Sequence, residues 1–323
     1  MTPDESKPGP DGSPQTPTLA ERVVPSYSPA HPGRKLAVIR WVSIAAFTVF
    51  GLSLVLGLLG RGRWVDGINT RLQALEAATP KTHPQHYDDE ELKGLPPVVQ
   101  RYLSQALNEY QPLVRGLYLE QSGTLNRSTV VDAQKWEPFT AKQRVATKRP
   151  GFVWDASVTV SPGILVRVLD AYVAGEGTLQ PSVIGLLDLG GSHGTGDIAR
   201  GELIRYFAES VWYPTVLLPS QGVQWKPIDT HSAQATLTDS PLTVTLRFTF
   251  GADGLVERIN SDERSALVDG AMVPTPWEVR LSHYQRYGNM LVPEDAEVAW
   301  LKPTGRLPYW RGRVDKFDYD MPP

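Results

Sequence analysis

The sequence predicts an α+β protein: one N-terminal transmembrane helix followed by a curved antiparallel β-sheet or open barrel with packed helices. Three observations lead to this class. Trp41 to Gly60 is a run of twenty residues without a charge. From Leu117 onward apolar residues recur at every second position, the period of a strand with one buried face. The loops between these runs are short and contain Gly or Pro, which favours antiparallel neighbours, because a parallel pair needs a crossover of about a dozen residues or more.

Composition sets the outer limits. Of 323 residues, 41% are hydrophobic and 21% charged, a globular balance. The chain has no cysteine, which excludes a disulfide framework, thiolate metal sites and a thiol nucleophile. A net charge of −3 argues against nucleic acid as a partner, since such proteins carry a basic excess.

Residues 1–33 contain eight prolines and three glycines and almost no large apolar side chains, the composition of a disordered tail. Residues 34–63 form the anchor. At ~1.5 Å per residue, the uncharged run spans ~30 Å, the thickness of a bilayer's hydrocarbon core. Arg34, Lys35 and Arg40 precede it and Arg61 and Arg63 follow, placing cations at both headgroup layers. A cleaved signal peptide fits poorly, because forty residues precede the run and no small-residue cleavage site follows. The cations near the two ends differ by only one, Arg22, Arg34, Lys35 and Arg40 against Arg61, Arg63 and Arg71. The expected orientation, tail in the cytoplasm and large domain periplasmic or extracellular, therefore rests on the tendency of long domains after an uncleaved anchor to translocate.

Residues 64–93 read as a linker with a short helix through Ile68, Leu72 and Leu75, broken by Pro80. His83 and His86 with Asp88, Asp89 and Glu90 resemble metal ligands only superficially: Pro84 separates the histidines, and the acids suit the first turn of a following helix, so no metal is expected. Residues 94–323 read as one domain. Pro96 and Pro97 open a helix whose apolar residues, Val98 to Leu107, repeat at three and four. Leu242, Val244, Leu246, Phe248 and Phe250 alternate with polar residues, and Asp253-Gly254 turns the chain into Leu255 to Ile259. Similar runs occupy 139–147, 152–160, 277–285, 296–301 and 310–319, while Ile164 to Val173 is apolar on both faces, as for a strand covered on each side. A longer helix runs from an N-cap at Asp197 to Pro214.

The stretches LPPVVQRYL (95–103), PGFVWDA (150–156), LDAYVAGEG (169–177), RYFAESVWYPTVLLP (205–219), PW (276–277) and YWRG (309–312), taken together, resemble an uncharacterised bacterial membrane-anchored family, a domain of unknown function, over residues 94–320. The resemblance implies no activity, cofactor or catalytic residue. The strand pattern is similar, at the level of fold alone, to the half-barrel of lipoprotein-sorting carriers, which hold acyl chains against a concave sheet.

Candidate site residues follow from patterning. Trp154 shares a strand face with Phe152 and Val158, and Trp277 with Val279, Leu281 and His283, so these indoles point into the core or a cavity within it. Trp154, Tyr172, Arg205, Trp212, Trp277 and Trp300 are the expected lining of an apolar or lipid-like ligand site. Asp170 interrupts an apolar strand, and Arg205 and Glu209 stand at i and i+4 on the long helix. These residues have two readings: Asp170 and Glu209 as the acid and base of a hydrolase, or as ion-pair partners of Arg205 that fix helix on sheet. The loop GGSHGTG (190–196) has no phosphate-loop pattern, and no other catalytic motif occurs. Non-catalytic binding of a lipid-like ligand, a carboxylate hydrolase and a structural envelope protein thus remain as readings, with no cofactor expected and the oligomeric state undetermined.

Overall fold

In the computed structural model, residues 32–80, 85–268 and 271–321 are described; the Pro-rich tail to residue 31 and His83 lie outside them. The chain divides after Leu52. From Pro32 to that point it is helix, with apolar side chains such as Val38, Trp41, Phe47 and Phe50 all exposed. Helix α1 (Pro32–Ala78) is long and apolar enough to cross a membrane.

The portion from Ser53 onward is built on a curved antiparallel sheet. Its strands are β1 (Gly116–Asn126), β2 (Trp136–Ala146), β3 (Gly151–Ser161), β4 (Ile164–Val173), β5 (Glu176–Val183), β6 (Leu187–Asp188), β7 (Ser192–Gly194), β8 (Gln224–Pro227), β9 (Ser232–Asp239), β10 (Leu242–Phe250), β11 (Val256–Ser261), β14 (Trp277–Tyr287), β15 (Met290–Lys302) and β16 (Gly305–Asp320). A separate hairpin pairs β12 (Ser265–Val268) with β13 (Ala271–Pro274). The main sheet runs β6, β5, β4, β3, β2, β1, β16, β15, β14, β11, β10, β9, β8, with β7 also on β5. The first and last long strands therefore lie side by side, Gly116 opposite Asp320. The sheet does not close on itself.

Two helices cover the concave side. Helix α2 (Pro97–Ala106) buries Val98, Val99, Tyr102, Leu103 and Ala106 in the main core. Helix α3 (Asp197–Ala208) joins the two arms of the sheet. On one side Gly177 of β5 lets it come so close that a Cβ there would lie 2.7 Å from the Ile198 carbonyl; on the other, Arg200 Nη1 donates to the Thr243 carbonyl of β10 at 2.9 Å. Its N-cap is Gly196 at φ +82, and Asp197 is the first helical residue instead of the cap. The α-helix stops at Ala208, earlier than the sequence suggests, and three 3-10 turns (Glu209–Trp212, Pro214–Leu217 and Pro219–Gln221) carry the chain on.

The short helix expected near residues 68–75 is the end of α1. Trp64, Ile68, Leu72 and Leu75 form a stripe at helical spacing that packs on Val153, Leu169, Ala171 and Val173 of the convex face. Trp64 Nε1 donates to Asp155 Oδ1 at 2.9 Å. This contact explains why β4 is apolar on both faces: Tyr172 faces the main core while Leu169, Ala171 and Val173 meet α1. Asp88 caps a 3-10 turn (Asp89–Leu92) by accepting from Glu90 N, which accounts for the acidic cluster.

Candidate functional site

Between α3 and the concave sheet lies a cavity of about 270 Å³. Most of its wall is apolar, from Leu125, Val168, Leu179, Val211, Val279, Leu281, Ala296 and Val298. Five of the seven tryptophans beyond the anchor and linker line it: Trp154, Trp212, Trp277, Trp300 and Trp310. Two of these indoles have an engaged N–H. Trp154 Nε1 donates to Gln121 Oε1 at 2.7 Å and Trp277 Nε1 to the Tyr309 hydroxyl at 2.9 Å, whereas Trp212 Nε1 is buried without a partner.

One wall carries all the charge. Asp170 of β4, Glu202 and Arg205 of α3, Glu209 just beyond it, and Arg264 between β11 and β12 line the cavity there. Arg205 Nη1 binds Asp170, and its Nε donates to Glu209 Oε1 at 2.7 Å. Its guanidinium also lies 4.8 Å from the Phe152 ring centroid and 4.9 Å from that of Trp154. Although burial opposes the charge on Arg205, Glu209, Asp170 and Glu202 hold its proton more tightly than usual. Glu209 Oε2 in turn accepts from Gln143 Nε2 at 2.6 Å, and Gln143 accepts from Gln121, which closes a polar chain running back to Trp154.

Asp170 and Glu209 are thus each held by one arginine. The carboxyl that crowds Asp170 is Glu202, 3% exposed. Burial first, and the Asp170 charge second, push the Glu202 carboxyl well above the ordinary range, against the opposing pull of Arg264 and Arg205. Glu202 Oε2 and Asp170 Oδ1 are both buried without a hydrogen-bond partner among the described residues. Arg264 Nη2 lies 3.6 Å from Glu202, and its guanidinium stacks 4.8 Å from the Trp277 centroid.

Of the residues singled out from sequence, Trp154, Arg205, Trp212, Trp277, Trp300, Asp170 and Glu209 line one cavity. Tyr172 does not. It is fully buried in the main core, where its hydroxyl donates to Asp239 Oδ2 at 2.8 Å and ties β4 to the end of β9 across the interior. His283 also departs from expectation. It sits at φ +53 in a break of the β14–β15 register, exposed and 2.6 Å from Asp295, instead of sharing the face of Trp277. His193 lies on β7, its Nδ1 2.9 Å from Thr178 Oγ1. Glu202, Arg264, Gln121 and Gln143 went unnoticed in the sequence, because each looks like a solvent-facing polar residue until the sheet curls around it. No group of metal-ligating side chains occurs among the described residues.

The fold and cavity define a class: a curved antiparallel half-barrel, bridged by a helix, with an internal tryptophan-rich pocket. Residues 93–319 match DUF6920, a family of unknown function, and the chain belongs to it. No curated protein matches. Among solved structures, the chain is similar to a DUF1329 family protein from Desulfovibrio piger, at 10% identity and a TM-score of 0.37, covering 64% of this chain and 86% of that one. It is also similar to a LolA superfamily protein from Nitrosomonas europaea, at 11% identity and a TM-score of 0.29, covering 70% of this chain and 93% of that one. These likenesses concern the fold alone.

Proposed function

We propose that this protein is a single-pass membrane-anchored binding protein that holds an apolar or amphipathic, lipid-like ligand in the cavity between α3 and the sheet, without catalysing a reaction. The observation that carries the reading is the cavity itself. Its wall combines five indoles and many aliphatics with charges confined to one side, the usual make-up of a site that buries an apolar body and orients one polar end. Its volume, about 270 Å³, lies near the low end of small-molecule sites, roughly 300–1,000 Å³, which suits one chain or ring system better than several. Ion pairing also argues against the hydrolase. Arg205 engages both Asp170 and Glu209, and the network reads as a device that locks α3 onto β4.

The anchor is the uncharged part of α1, with the N-terminal tail in the cytoplasm and the β-sheet domain periplasmic or extracellular. A reporter fused after Pro323 tests this orientation; activity on the cytoplasmic side alone reverses it. The binding reading is tested by native mass spectrometry of the full chain, extracted gently from membranes. A bound species of lipid mass that survives detergent exchange supports it, and a protein that stays empty, even after mixing with lipid, removes it.

A further inference from the structure

The turn after β5 presses against α1 at the end of its uncharged run. A Cβ on Gly60 would lie 2.2 Å from the Ile184 carbonyl oxygen, and one on Gly185 2.5 Å from that of Gly60, so the two segments meet backbone to backbone. From there α1 runs along the convex face until Leu75 reaches Gly151. Strand register puts Gly151 at the far end of the sheet, paired with Ala146, whereas Ile164 pairs with Ser161 and Val166 with Val183 at the end near Gly60.

That near end carries an uncovered apolar corner. Ile164 is 46% exposed, Leu165 43%, Ile184 41%, Leu187 64% and Leu189 52%. They are contiguous: Ile184 N donates to the Leu165 carbonyl, Val183 pairs with Leu187, and Leu189 N donates to Pro181. Asp188 is the one acid among them, its carboxylate accepting from Gly190 N at 3.0 Å. So many large aliphatics side by side on an exposed surface mark an interaction site. Position identifies the occupant. Gly60 is where the uncharged run stops and Arg61 and Arg63 begin, the headgroup level for a helix that crosses a bilayer. Leu179, two residues along β5 from Pro181, is 38% exposed and also lines the cavity.

We propose that this corner, formed by Ile164, Leu165, Ile184, Leu187 and Leu189, dips into the interface of the bilayer that α1 crosses and sets the cavity rim at Leu179 against lipid. The inference rests on the membrane-anchored reading above. It adds the bilayer itself as the source of the ligand, which enters sideways without crossing water.

Because the chain has no cysteine, single labels test this directly. The variants L187C, L189C, F50C and E109C are made in the full chain, labelled with an environment-sensitive fluorophore and placed in phosphatidylcholine–phosphatidylglycerol nanodiscs. Glu109 is exposed and lies on the segment entering β1 at Gly116, the sheet end opposite the corner. Quenching is read from a lipid nitroxide near the headgroups and from aqueous iodide. The proposal expects labels at 187 and 189 to be quenched by the nitroxide and to react with iodide several-fold less than the label at 109. If F50C is in lipid while 187 and 189 behave like 109, the docking is wrong and the anchor stands. Should F50C also be open to iodide, the anchor and the docking fall together. Labels at 187 and 189 shielded from both quenchers mean that protein, such as a second copy, covers the corner, which equally overturns the proposal.

Discussion

Replacing Arg205 by methionine isolates the charge network that joins α3 to the sheet. Methionine keeps an apolar stem over Phe152 and Trp154 but strands two carboxylates: Asp170, with a side chain 11% exposed, and Glu209, at 13%. Glu209 retains Gln143 as a donor, and Asp170 loses the hydrogen bond from Arg205. Breaking a buried ion pair from one side costs about 3–5 kcal/mol, because the orphaned charge stays desolvated. For a domain of this size, about 2–4 °C of melting temperature is lost per kcal/mol, so R205M is expected to melt roughly 6–20 °C below the wild type. Thermal unfolding of the full chain in detergent, followed by circular dichroism, reads the shift. The triple variant R205M/D170N/E209Q is expected to recover most of the loss, since neutral replacement of a whole buried network is often nearly neutral. An R205M protein within about 1 kcal/mol of wild type, or a triple variant no better than the single, refutes the argument that these charges are buried and mutually dependent.

Two further outcomes follow from the same packing. Glu202 has a folded-state pKa raised above its unfolded value, so its contribution to stability is complete at acid pH, below the ordinary glutamate range, and is lost as pH rises through the folded value. E202Q removes that dependence: measured between about pH 4 and 9, its melting temperature should gain on the wild type steadily with pH, and parallel curves contradict the buried neutral acid. Leu75, 4% exposed, belongs to the stripe of α1 on the convex face, and L75A is expected to destabilise the β-sheet domain by about 2–5 kcal/mol in denaturant titration. A variant as stable as wild type means that this part of α1 is only a tether.

Much of the sheet was legible because one face is buried. The alternation in β10 and the Asp253-Gly254 turn map directly onto observed elements, with Gly254 at φ +86 and its N–H on the Gly251 carbonyl. The two-sided apolar strand β4 also read correctly as covered on each face. What covers its convex side did not, because Arg61 and Arg63 look like the end of a helix when they only end its uncharged run; the stripe from Trp64 to Leu75 continues the same helix against protein. The site was legible through its tryptophans, which share strand faces with aliphatics. Its polar half was not. Glu202 and Arg264 are far apart in sequence and ordinary in local context, and only the curl of the sheet buries them together. Tyr172 illustrates the opposite error: its strand face points inward, but toward Asp239, past the cavity.

The central claim, that the tryptophan-lined cavity takes an apolar chain, is tested most directly by titrating the full chain with a fatty acid brominated on its tail and following tryptophan fluorescence. Ala296, paired with Leu281 across β14 and β15, is an apolar position of the cavity wall, so A296F takes up cavity space there. Saturable quenching of the wild type, with A296F needing at least about tenfold more ligand, is the predicted result and corresponds to about 1.4 kcal/mol of lost binding. Quenching that never saturates, or that is the same in A296F, contradicts it.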